Sequence, residues 1–121
     1  MHPFAMHDFR RLTVWQRSRE FAVAIDRLSR AFPRRDGGVV GGQLRRAAIS
    51  IPANIAEGCG KSSRRETIRF FQIASGSATE AENHLLIASD LEYVAPEIRE
   101  HYLGDLKTIQ RMLAKLMANL P

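Results

Sequence analysis

The chain has one cysteine, Cys59, in 121 residues, so no internal disulfide can form and nothing points to an oxidising compartment. No stretch approaches the ~18 consecutive apolar residues of a membrane span, which excludes a helical membrane protein. The N-terminal MHPFAMHDF lacks a basic patch followed by an apolar segment. No secretory signal is therefore expected, and a cytoplasmic location is. Met6 is an alternative start, because helical patterning begins only after it. Strand-like alternation and strong internal repeats are both missing.

The chemistry-bearing residues are equally sparse. The four histidines are His2, His7, His84 and His101, and none has a glutamate three residues before it. That argues against the paired Glu-x-x-His sites of di-metal helical bundles. A lone cysteine argues against zinc. The segment Arg34–Gly42 (RRDGGVVGG) has four glycines in nine residues. It has no Lys-Ser/Thr after it and no strand before it, so it is not an NTPase phosphate loop. No serine sits in a nucleophile elbow. The expectation is a non-enzymatic protein without metal or cofactor. A Cys59–histidine nucleophile pair is the one catalytic reading left open.

What the chain does have is an ordinary globular composition, 45% apolar and 26% charged, in a length suited to one domain spanning residues 1–121. Its charge is unevenly distributed. Residues 1–70 hold 14 lysines and arginines against 6 acids, a balance of +8, and residues 71–121 hold 4 against 7, a balance of −3. Thirteen of the 14 cations in the first part are arginine. Arginine forks onto phosphate and stacks on bases, so this half suits a polyanion. The alternative is a solubilising arginine surface with no ligand.

Apolar periodicity predicts four helices, at about 8–31, 40–58, 63–91 and 96–120. In the first, Asp8 suits the N-cap, Val14, Phe21 and Leu28 repeat every seven residues with Ser18, Ile25 and Phe32 beside them, and Trp15 and Ala22 widen the stripe. Pro33 stops it. The second contains Pro52, where a kink is expected with Asn54 and Ser50 satisfying freed carbonyls, and it ends at Gly58 in the C′ position. The third opens on a capping box, Ser63-Arg64-Arg65-Glu66. Phe70, Ala74, Ser77, Ala81, Leu85, Ala88 and Leu91 are expected to line its core face, with Gly76 marking a close helix approach. The fourth starts at Pro96, and Tyr102, Ile109 and Leu116 alternate with Leu106, Leu113 and Leu120. The fold class that follows is all-α, an antiparallel up-down-up-down four-helix bundle.

The second helix organises the rest. At about 100° per residue, Val40, Leu44, Ala47, Ala48, Ile51 and Ile55 share one apolar face. Ile49, Pro52, Ala53 and Ala56 share another, which marks an expected oligomer interface. Between them runs a polar stripe of Gln43, Arg46, Ser50, Asn54 and Glu57. Arg46 either meets a phosphate or, the favoured reading, joins Gln43, Asn54, Glu57, Glu80 and Glu82 in a structural polar network. Arg45 lies off that stripe and is the better exposed contact. Lys61, Arg64, Arg65 and Arg69 form the densest basic cluster, around the first turns of the third helix, and are the first choice for phosphate. Their other reading is a solvated charge run.

Several segments together carry a resemblance: Phe9-x-x-Leu12-x-Val14-Trp15-Gln16, Phe32-Pro33, the run QLRRAAISIPANIAEG from Gln43 to Gly58, Phe70-Phe71-Gln72-Ile73-Ala74-Ser75-Gly76-Ser77, and Glu80-Ala81-Glu82. In this order and spacing the chain resembles the bacterial four-helix-bundle family of ribosomal-RNA intervening-sequence proteins. That family is similar to the accessory variability determinant proteins of diversity-generating retroelements. The resemblance covers nearly the whole chain and implies a homopentameric barrel. Its retroelement branch implies nucleic-acid binding and a reverse transcriptase partner. The chain departs from the family pattern at Asp36-Gly37-Gly38-Val39-Val40, which lacks an aromatic, and at Leu91-Glu92-Tyr93, where Glu92 replaces a usual glycine.

Two functional expectations remain in play. One is an oligomeric accessory protein that binds RNA or DNA through Arg45, Lys61, Arg64, Arg65 and Arg69. The other is a protein-interaction or structural oligomer with no nucleic-acid role.

Overall fold

The computed structural model describes residues 8–35 and 38–121. The alternative start at Met6, His2 and His7, and the Asp36-Gly37 part of the divergent loop lie outside the described residues. A short 3-10 turn, Phe9–Arg11, leads into α1 (Thr13–Arg30), α2 (Val39–Cys59), α3 (Arg64–Asp90) and α4 (Pro96–Ala118). Each helix packs on its neighbours in the chain and α1 closes against α4, with α2 and α3 making the most extensive pairing. This is an all-α antiparallel bundle of four helices.

The helix ends follow local chemistry, with two corrections. Asp8 caps the 3-10 turn by accepting from the Arg10 N–H at 3.0 Å, and α1 begins only at Thr13, after an extended Leu12. Gly58 is not the residue after α2. The helix runs on to Cys59, and Gly60 ends it at φ −86°, in the right-handed region. Ser63 Oγ accepts from the Glu66 N–H at 3.2 Å, the serine half of the expected box. Pro96 occupies the first turn of α4. Pro52 is accommodated inside α2, where Asn54 Nδ2 donates to the Ser50 carbonyl at 2.9 Å.

At the other end of α3, Glu92 adopts φ 65°. Its N–H donates to the Ser89 carbonyl and the Tyr93 N–H to the Ala88 carbonyl, both at 2.9 Å. This is a Schellman ending built on a glutamate where glycine would be unstrained.

Ile25, Leu44, Ile51, Ile55, Phe71, Leu85, Leu106, Ile109 and Leu113 fill the core. The α2–α3 seam is made of small residues: Ala47, Ala48, Ala74, Ala78 and Ala81 are all buried, which lets the two backbones approach. Three expectations for α3 fail here. Phe71, fully buried, takes the core position, and Phe70 stays at the rim. Leu91 is exposed. Gly76 faces open space, with nothing within 4 Å of where a Cβ would stand, so no close helix approach explains it.

Candidate nucleic-acid interface

The corner between α2 and α3 is held from inside. Thr67, fully buried in the first turn of α3, donates its hydroxyl to the Gly58 carbonyl at 2.9 Å. The Lys61 N–H reaches the same carbonyl at 3.2 Å, and the Gly60 N–H reaches that of Glu57 at 3.1 Å. Because Gly58 carries no side chain, the ring of Phe71 lies directly on α2. The turn is thus tied to the core at several points, and the basic residues around it project from a fixed frame.

Arg64, Arg65 and Arg69 are exposed on that frame. With Glu66, Ile68 and Gln72 they line a shallow groove on the outer side of α3. No carboxylate among the described residues lies within ion-pairing distance of these three guanidinium groups. Lys61 is half-buried: its Nζ sits 4.0 Å from Glu57 Oε2 and 4.8 Å from the centroid of the Phe70 ring. The Arg69 guanidinium stands 5.9 Å from the same ring. Lys61, Arg64, Arg65 and Arg69 are therefore brought together as one basic corner.

Arg45 is not part of it. It lies roughly 20 Å back along α2 at 1.5 Å per residue, near the loop that joins α1 to α2. There it is half-buried and donates to the Ser29 hydroxyl at 3.0 Å, tying α1 to α2.

The expected polar network does not assemble. Arg46 is exposed and has no hydrogen bond or ion pair among the described residues. Glu57 faces Lys61, and Glu80 faces His84 of its own helix at 3.4 Å. Gln43 and Glu82 are half-buried and join neither. The polar link between α2 and α3 is smaller: Ser50 and Ser77 share a hydrogen bond at 2.8 Å, and Asn54 Nδ2 donates to Ser50 Oγ at 2.9 Å. The antiparallel register sets Ser77, not Glu80 or Glu82, opposite the stripe.

The second apolar face of α2 borders α1 across an open groove. Ile49 is 65% exposed, Ala53 is exposed, and Pro52 and Ala56 are half-buried. They form one wall of a groove of about 680 Å³, with Trp15, Val23 and Arg27 on the α1 side.

Sequence reasoning misses part of this side of the molecule. Arg10, Arg19 and Arg27 line an adjoining cleft with Trp15. The Arg19 guanidinium sits 5.4 Å over the indole, which also meets the edge of Phe9 at 4.9 Å. A signal exists in the spacing, since Trp15 and Arg19 are four residues apart on a helix, but Trp15 fits the core stripe equally well.

Cys59 is buried, and desolvation raises its thiol pKa to about 11. At neutral pH it is a protonated, poorly nucleophilic thiol. No group of three or more potential metal ligands occurs among the described residues. None of the helices there is long and apolar enough to cross a membrane.

Comparison with known proteins agrees with this architecture. A crystal structure of a protein of unknown function from the S23 ribosomal protein family of Bacteroides thetaiotaomicron superposes with a TM-score of 0.81. It is 31% identical, and the match covers 87% of this chain and 98% of that one. The model of the family described as 23S rRNA-intervening sequence protein matches residues 10–115. The chain belongs to that family. No curated protein matches. In this member of the 23S rRNA-intervening sequence family, the matched span takes in the basic corner, the α1–α2 groove and the Ser50–Ser77–Asn54 link, so all three lie within the family's own domain.

Proposed function

We propose that this protein is a non-catalytic, oligomeric accessory protein that binds nucleic acid, RNA in the first instance, through the α2–α3 corner. One observation carries the reading. Arg64, Arg65 and Arg69 are exposed and free of carboxylate partners on a turn anchored by Thr67 and Phe71, with Lys61 beside them. Arginines in a solvated charge run would cost nothing to leave on a loose loop. Here they stand on a pre-organised frame, at a helix N-terminus whose first amides also favour an anion. The family description, which names a ribosomal RNA, makes RNA the first polyanion to test.

The test is fluorescence anisotropy with a labelled structured RNA at 50 and 200 mM salt. Four phosphate contacts should weaken binding by roughly 50- to 150-fold between those conditions. The triple variant Arg64→Glu, Arg65→Glu, Arg69→Glu should abolish binding. Absence of binding, or binding indifferent to salt, would remove the reading.

A second reading, an interaction oligomer without nucleic acid, is favoured by one feature, the exposed Ile49 in the apolar α1–α2 groove. The two readings share an oligomer, which the sequence resemblance puts at five chains. They part on RNA binding alone.

A further inference from the structure

Two adjacent phenylalanines in α3 have opposite fates. Phe71 is fully buried against Gly58, whereas Phe70, about 100° round the helix, stays at the surface edge of the α2–α3 corner. Phe70 is half-buried, so part of its surface stays in water while its neighbour is sealed in the core. What surrounds Phe70 is cationic: Lys61 Nζ at 4.8 Å and the Arg69 guanidinium at 5.9 Å from the ring centroid. Both are long side chains able to swing from the ring to a phosphate. One turn further, Ile73 is 41% exposed and extends the apolar surface in the same direction.

This juxtaposition distinguishes one form of nucleic acid from another. A duplex keeps its bases stacked inside and offers only phosphates to a shallow surface such as this corner, so a surface aromatic ring adds nothing to its binding. An unpaired base has a free face. It can lie on a ring while the flanking phosphates meet the cations, and such stacking is tolerant of sequence because every base has a π-face. We propose that Phe70 is a base-stacking platform and that the α2–α3 corner prefers unpaired nucleotides, with Lys61 and Arg69 taking the phosphates on either side. The proposal rests on the nucleic-acid reading above and deepens it.

The experiment compares two labelled RNAs in anisotropy, a single strand of about ten nucleotides and a duplex of the same sequence. The proteins are the wild type, Phe70→Leu, Phe70→Trp and the Arg64/Arg65/Arg69 charge-reversal variant, with melting curves to confirm that each folds. Wild type should bind the single strand more tightly than the duplex. Phe70→Leu should weaken the single strand by roughly 5- to 100-fold, leave the duplex within about 2-fold, and leave the salt slope unchanged. Phe70→Trp should restore single-strand affinity, and its added indole emission should be quenched by the strand. Loss of binding on charge reversal, with Phe70→Leu silent or weakening both RNAs equally, overturns the platform and leaves the phosphate reading standing. Binding that is absent, or untouched by charge reversal, overturns both.

Discussion

Gly58 and Phe71 are in contact across the α2–α3 seam: a Cβ on Gly58 would stand 2.9 Å from Cε1 of the Phe71 ring and 3.1 Å from the Cβ of Phe70. No real side chain tolerates the shorter of these separations, and the ring is locked in the core. Gly58→Ala should therefore lower stability by about 1–3 kcal/mol through overpacking. A lowered urea midpoint with an unchanged slope would show it. A midpoint equal to wild type would mean the two helices are not this close.

The opposite sign is expected at Gly76 and Glu92. Gly76 lies in the interior of α3 with open space beside it, so Gly76→Ala should stabilise by about 0.5–1 kcal/mol through backbone entropy. Glu92 holds φ 65° in the Schellman ending of α3, so Glu92→Gly should gain about 1 kcal/mol by relieving the left-handed strain. The sites are far apart along the chain and share no partner, and the double variant should be additive in thermal or urea unfolding.

Cys59 makes a pH prediction. Burial raises its thiol pKa from 9.0 to about 11, so the folded state favours the protonated form. That contribution is fully present below pH 9 and is lost as pH rises toward 11. Alkylation by iodoacetamide should be slow at pH 7–8 in the folded protein and rapid after unfolding. The alkaline fall in urea midpoint between pH 9 and 11 should be shallower in Cys59→Ala than in wild type. Rapid labelling at neutral pH would instead reopen Cys59 as a reactive group.

Ile49 tests assembly. It is 65% exposed in the single chain and stands in the wall of the α1–α2 groove. Ile49→Lys should leave helix content and melting of the chain nearly unchanged while converting the assembly to a species of 13.6 kDa by light scattering. Wild type should run as an oligomer, about 68 kDa if five chains of 13.6 kDa assemble. A wild type already at the monomer mass removes the oligomer.

Much of the candidate site is legible in the amino-acid sequence. Lys61, Arg64, Arg65 and Arg69 cluster within nine residues around one helix start, and a local cluster survives folding as a cluster. Arg45 groups with them on residue type and expected exposure alone, and folding separates it, because a helix carries residues along its axis as well as around it. The polar stripe from Gln43 to Glu57 follows from helical spacing. Its partners do not, since they depend on the register of α3 against α2, which brings Ser77 to Ser50 at 2.8 Å and leaves Glu80 with His84.

The sequence by itself determined the four helices, their order, the cap at Ser63, the first-turn Pro96 and the basic corner, because periodicity, capping and charge clustering act over a few residues. It also carried the family pattern. Only the tertiary structure decided between Phe70 and Phe71. Both fit a broad apolar face, and the choice was made by the close approach of α2 at Gly58, which admits the ring of Phe71 and leaves Phe70 between Lys61 and Arg69. Local propensity is blind to such an approach, because it depends on the distance between two backbones that meet only after folding.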